Sequence, residues 1–180
     1  MLRAMARMIQ LTYEPAFDPL HSIFRALRLR QSLATDIPIP RVLFRILDFY
    51  LLFPMSISTV RLLPKHRKLK KLAASTKRVT SYGPLPDNTM LFERMQPYQD
   101  AAIDTLVLRG FFSNEGLEAG WVIPTKIEPS ASLNNRLVTI NAAENNLMTA
   151  LNILATDYPI DGSNGLKHRT GLLEYRYDAV

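Results

Sequence analysis

The residues able to do chemistry are few and scattered. Histidine occurs three times, at His21, His66 and His168. No two lie at the H-E-x-x-H spacing that turns both imidazoles to one side of a helix around a zinc ion. Cysteine is absent, which removes disulfides, thiolate metal centres and a thiol nucleophile, and fits a reducing compartment. There is no G-x-S-x-G elbow, Walker lysine loop or G-x-G-x-x-G turn, and only 7 glycines in 180 residues. Carboxylates distant in sequence can still converge in space, so a small enzyme is the last of three readings rather than an excluded one. The expectation is no catalytic residue, no metal, no cofactor and no small-molecule substrate.

Two charged groups remain. The first is a cationic run: Lys65, His66, Arg67, Lys68, Lys70, Lys71, then Lys77 and Arg78. It reads as a solvated helix face, as a phosphate-contacting surface, or as a dock for an acidic protein. Its lysines would give nucleic-acid affinity and salt dependence with little base reading, since outward Asn, Gln or Arg is wanted for that. Tyr50, Tyr82, Tyr98 and Trp121 are not interleaved with the run, so a base-stacking platform for single strands has weak support. The second group is Arg41, Arg45 and Asp48, spaced i, i+4 and i+7 on one stripe of a helix. Either Arg45 and Asp48 pair with each other, or the stripe faces a partner chain.

The elements that must position these groups follow from the remaining pattern. Hydrophobic residues make up 47% and charged residues 21% of the chain, ordinary globular values. The net charge of +6 is uneven. Residues 1–80 hold 15 Lys/Arg against 4 Asp/Glu, and residues 81–180 hold 7 against 12. Such a split suits an anionic partner or a protein with a complementary field. The most apolar stretch, Val42 to Phe53, would span about 18 Å as a helix, short of roughly 30 Å of hydrocarbon, and contains Arg45 and Asp48. No membrane span is expected. The start, MLRAMARMIQ, lacks the continuous apolar region of a signal peptide, so a cytoplasmic protein ordered from near Met8 is expected.

Residues 9–13 alternate as a short strand would. Asp18-Pro19 caps a first helix running to about Thr35, with Leu20, Ile23, Phe24 and Leu27 as its buried stripe and Arg25, Arg28 and Arg30 largely off it. After the stiff Ile37-Pro38-Ile39-Pro40 connector, a second helix runs to Pro54, apolar around nearly its whole circumference and therefore central. Pro64 opens a third, to about Thr76, with the cationic run outermost. After the Tyr82–Pro86 turn, Asp87 or Asn88 caps a fourth helix through Met95, and Pro97 breaks and restarts it up to Gly110. Phe111-Phe112, a turn from Ser113 to Gly120, and Trp121-Val122-Ile123 then give helix, glycine, strand, turn, strand. That is the order of a winged-helix wing, and equally of an unrelated hairpin packed on a helix. Leu133, Leu137, Ile140, Leu147, Leu151 and Leu154 form a core stripe on two helices joined near Asn141, where Asn141 and Glu144 resemble a capping box. Residues 161–165 read as loop, and the alternating Leu172 to Tyr177 reads as an edge strand or as a segment that docks on a partner. The fold class is mainly α (α+β): a helical, winged-helix-like domain over 8–128, a C-terminal helical segment over 129–156 packed on it, and a loop and tail over 157–180.

The strings F-D-P-L-H-S-I-F-R (17–25) and R-I-L-D-F-Y-L-L-F-P (45–54) resemble the middle component of bacterial ABC-three-component systems, the anti-phage and anti-plasmid operons that include the Lamassu type. The likeness covers roughly residues 13–125. It implies a non-catalytic antiviral subunit beside an SMC-like coiled-coil ATPase and a separate effector, often a nuclease, with DNA met through the complex. It also implies that Arg41, Arg45, Asp48, Phe49 and Tyr50 are core or partner-facing, with Arg41, Arg45, Asp48 and Tyr50 the candidates for an interface. The competing reading is a free-standing winged-helix regulator that binds duplex DNA.

Overall fold

The computed structural model describes residues 14–33, 37–75 and 87–173. The expected strand at 9–13, the Tyr82–Pro86 turn, Lys77, Arg78 and most of the alternating 172–177 segment lie outside the described residues.

The architecture is mainly α. Helix α1 (Pro19–Ser32) starts as the sequence predicts: the Asp18 carboxylate accepts the His21 N–H at 2.7 Å, and Pro19 supplies the first helical φ. Its buried face does not follow the prediction. Leu20 is 77% exposed and Ile23 and Phe24 are only half-buried, while Arg25, Arg28 and Arg30 are buried beside Ala26, Leu27 and Leu29. Later elements enclose α1 on several sides and bring polar partners to each guanidinium, which the periodicity of one helix cannot register.

The strand β1 (Ile39–Pro40) leads into α2 (Arg41–Leu52), where every residue from Leu43 to Leu52 is buried. This is the expected central helix. It packs against α1 and, through its far side, against a 3-10 turn at Pro54–Thr59 and later helices. Phe49 lies at the middle of an aromatic cluster, with ring centroids 5.3 Å from Tyr50, 5.2 Å from Phe53 and 5.9 Å from Phe92. Such contacts add to the roughly 1.5–3 kcal/mol that burial of each large side chain contributes.

The third helix is shorter than expected. Pro64–His66 form a 3-10 turn, and α3 (Leu69–Ala74) begins only where Leu69 and Ala73 can be buried. Next, α4 (Asn88–Leu108) is N-capped by Asp87, whose Oδ1 accepts from Thr89 and Met90. It does not break at Pro97, contrary to expectation. Pro97 and Glu93, the residue whose carbonyl loses its partner, are both exposed, so the break in the ladder lies on the solvent side while α4 packs along α1. Gly110 (φ +78°) ends α4 as predicted, with the Phe111 N–H bonded to the Leu106 carbonyl and the Gly110 N–H to Val107.

The expected hairpin is reduced to one bridge, Phe112 to Pro124, because its turn holds a short helix, α5 (Asn114–Glu118), capped by Ser113. Strand β2 (Trp121–Val122) takes its main partner from the Ile39–Pro40 connector, antiparallel, with Ile39 opposite Val122. Helices α6 (Ala131–Ala143) and α7 (Asn145–Thr156) meet at Glu144, a turn later than expected. Asn141 caps nothing: it is buried in α6 and bonded to α1. Residues 161–165 form a loop as expected, and a further short helix, α8 (Leu166–Thr170), follows it. One apolar cluster joins all these elements, from Ala16 to Leu172.

Candidate functional site

The polar centre of the molecule is built on Arg25. Its guanidinium grips Asp48 of α2 with both arms, Nε to Oδ1 at 2.6 Å and Nη2 to Oδ2 at 3.0 Å. Nη1 also reaches the Pro15 carbonyl at 2.9 Å and His21 Nδ1 at 2.8 Å, and Nη2 reaches Ser22 Oγ at 3.1 Å. Arginine only donates, so His21 Nδ1 accepts. The Asp48 carboxylate accepts again from Gln99 Nε2 of α4 at 2.8 Å. Gln99 Oε1 takes Arg45 Nε at 3.1 Å, and the Arg45 guanidinium lies 4.8 Å from the Phe92 ring centre. Arg25 is 1% exposed and Asp48 4%.

The expected Arg45–Asp48 pair is therefore corrected: Asp48 pairs with Arg25, 23 positions away. The stripe also differs from a surface patch. Arg45, Asp48 and Tyr50 are buried, with α1 against Asp48 and α4 against Arg45. Arg41 alone of the four is half-exposed, paired with Asp100 at 3.0 Å. A cavity of about 10 Å³ bordered by Ser22, Arg45, Asp48 and Gln99 has room for about one water molecule and none for a substrate.

Two more arginines of α1 work alike. Arg28 bonds Asn141 Oδ1 at 2.8 Å and Glu144 Oε2 at 2.7 Å, and so holds the joint between α6 and α7. Arg30 bonds the Thr125 and Ile127 carbonyls and Glu128. Sequence reading missed this trio. Its only signal was three arginines on one helix, with partners up to 116 positions away.

The cationic run lies on the outside of the Pro64–Ala74 segment, as expected. Lys65, Arg67, Lys68 and Lys71 are exposed, and Lys70 is half-buried with Nζ 2.6 Å from the Ser58 carbonyl. His66 turns inward instead: Nδ1 is 2.9 Å from Tyr158 Oη and Nε2 is 3.2 Å from Asp157 Oδ2. Asp157 also takes Lys65 at 3.3 Å. Among the described residues no cluster of three His, Asp or Glu could hold a metal ion, and no helix is long and apolar enough to cross a membrane.

Residues 11–178 match the family model of the ABC-three component (ABC-3C) system Middle Component 5. The chain belongs to that family. No curated protein and no solved structure matches it. The resemblance carried by residues 17–25 and 45–54 thus holds at the level of the ABC-three-component middle components, and the match extends through the C-terminal helices, which that resemblance had not reached.

The geometry also explains why this middle component has R-I-L-D-F-Y-L-L-F-P at its centre: Arg45 and Asp48 tie α2 to α4 and α1, and the apolar residues fill the core between them. Tyr50 is the exception. It is fully buried, its hydroxyl has no hydrogen-bond partner among the described residues, and burial pushes its pKa up. Replacing a partnerless buried hydroxyl by hydrogen removes a desolvation penalty. Tyr50→Phe is expected to leave stability unchanged or raise it by about 1 kcal/mol in urea unfolding. A loss larger than that would give the hydroxyl a partner in the folded protein.

Proposed function

We propose that this middle component is a non-catalytic accessory subunit of a Lamassu-type antiviral system. It works in the cytoplasm, holding an SMC-like coiled-coil ATPase together with a nuclease effector, and touches DNA through its cationic face. Family membership carries this reading. Three features support it. The charged side chains of the interior are spent on tying α1 to distant segments, through the Arg25, Arg28 and Arg30 contacts. The cavity bordered by Ser22, Arg45, Asp48 and Gln99 admits about a single water. Exposed positive charge is dense on one segment, Lys65–Lys71, as suits contact with a polyanion.

Co-expression with the products of the neighbouring genes, followed by affinity capture of the middle component, tests the reading. The expected result is a stable complex containing a long coiled-coil ATPase. A monodisperse monomer that retains none of those proteins, or that shifts a particular DNA sequence as a dimer, would overturn it and return the free-standing regulator to first place.

A further inference from the structure

The run Lys65–Lys71 looks uniform in sequence, but its side chains divide into two sets. Lys65, His66 and Lys70 are occupied. Lys65 lies 3.3 Å from the Asp157 carboxylate, and Lys70 is spent on the Ser58 carbonyl at 2.6 Å. His66 is held at both ring nitrogens. Tyr158 Oη accepts the Leu63 N–H at 3.0 Å and lies 2.9 Å from His66 Nδ1, while Nε2 lies 3.2 Å from Asp157 Oδ2. Asp157 stays ionised: its hydrogen bond from Thr156 and its contact with Lys65 hold its carboxyl below the usual range.

Arg67, Lys68 and Lys71 are different. All three are exposed, and among the described residues none has an ion pair or a side-chain hydrogen bond. Arg67 and Lys71 are four positions apart, with Lys68 adjoining, so the three sit within one helical turn of each other in sequence. A lysine beside an ionised carboxylate contributes little to the field a phosphate meets, because the two charges nearly cancel beyond a few ångströms. A cation with no acid nearby contributes in full and releases a condensed counterion on binding.

We propose that Arg67, Lys68 and Lys71 are the phosphate-contacting residues of this middle component, that their partner is the sugar-phosphate backbone of duplex DNA, and that Asp157 withholds Lys65 from the same contact. The proposal rests on the reading that the cationic face meets DNA. Contact is with phosphates and is indifferent to sequence, since the triad has one guanidinium for bidentate base reading and two lysines that serve as point charges.

The test is fluorescence anisotropy of a mixed-sequence duplex with the full-length protein, in its complex, across a series of NaCl concentrations. The variants are R67Q/K68Q/K71Q, K65Q and D157N, each checked for an unchanged thermal midpoint. The triple variant is expected to bind at least about tenfold more weakly near 0.1 M salt, and the slope of log K against log salt to fall by roughly 0.9 per residue removed. K65Q is expected to stay within about twofold of the parent. D157N is expected to bind more tightly, with the slope steeper by just under one, because Lys65 is freed. A loss in K65Q equal to that of the triple variant would overturn the division of the run while leaving DNA contact intact. Unchanged binding by D157N would overturn the role of Asp157. Absence of duplex binding by the parent complex would remove the DNA reading and this proposal with it.

Discussion

Arg25→Met is expected to lower the unfolding free energy by about 3–5 kcal/mol, the largest loss among the charged positions. The substituted side chain fills much of the same volume, so the loss is electrostatic rather than a packing defect. Asp48 is 4% exposed and would keep only the Gln99 amide as partner, leaving a carboxylate in the core with its charge uncompensated. The Pro15 carbonyl and Ser22 would also lose a donor. Asp48→Leu should cost a comparable amount, by stranding Arg25. The double variant separates the two contributions. With both charges gone, an apolar pair replaces an ion pair, a change that is often near neutral in cores. The double variant should therefore lose far less stability than the two single losses summed, read by denaturant titration. Additive losses would mean that Arg25 and Asp48 stabilise the fold independently, through Pro15, Ser22 and Gln99. A loss below about 1 kcal/mol in Arg25→Met would mean that water reaches Asp48 and that the pair is not buried in solution.

Phe49→Ala is the second large effect, also about 3–5 kcal/mol, for the opposite reason. Phe49 is fully buried with three aromatic neighbours from α2, its C-terminal cap and α4, so truncation leaves a cavity that helices held on several sides cannot close. The measurement is the urea midpoint at constant m value. Leu20→Ala serves as the comparison. The apolar stripe of α1 puts Leu20 in the core, whereas the fold leaves it 77% exposed, and its truncation should cost less than about 0.5 kcal/mol. Equal losses at Leu20 and Phe49 would mean that the stripe, not the observed packing, sets the buried face of α1.

The contrast between α1 and α2 shows where sequence reading works. Helix α2 is apolar around nearly its whole circumference, so any fold must enclose it, and the prolines at 40 and 54 bound it whatever packs around it. The Asp18 and Ser130 caps and the Gly110 stop are likewise local: each satisfies backbone groups within four residues of itself. Pro97 was misjudged because a proline breaks a helix only if the freed carbonyl is stranded, and at Glu93 the break lies on the solvent side. Asn141 and Glu144 have the spacing of a capping box, but Arg28 competes for both side chains and wins, since its charge-assisted bonds are the stronger. At the candidate surface, the cationic residues were legible as a run. Which of them are occupied was not, because Asp157 and Tyr158 lie more than ninety positions away.

From sequence alone came the mainly helical class, the central position of α2, the uneven charge and the kinship with ABC-three-component middle components. These depend on composition, short-range spacing and motif, which need no third dimension. Only the tertiary structure decided that the three arginines of α1 are interior cross-links, that Asp48 answers to Arg25, and that three cations of the Lys65–Lys71 run stand open. Buried charge is tolerated only where partners from distant segments converge within about 3 Å, and that convergence belongs to the packing of helices, not to the order of residues along any one of them.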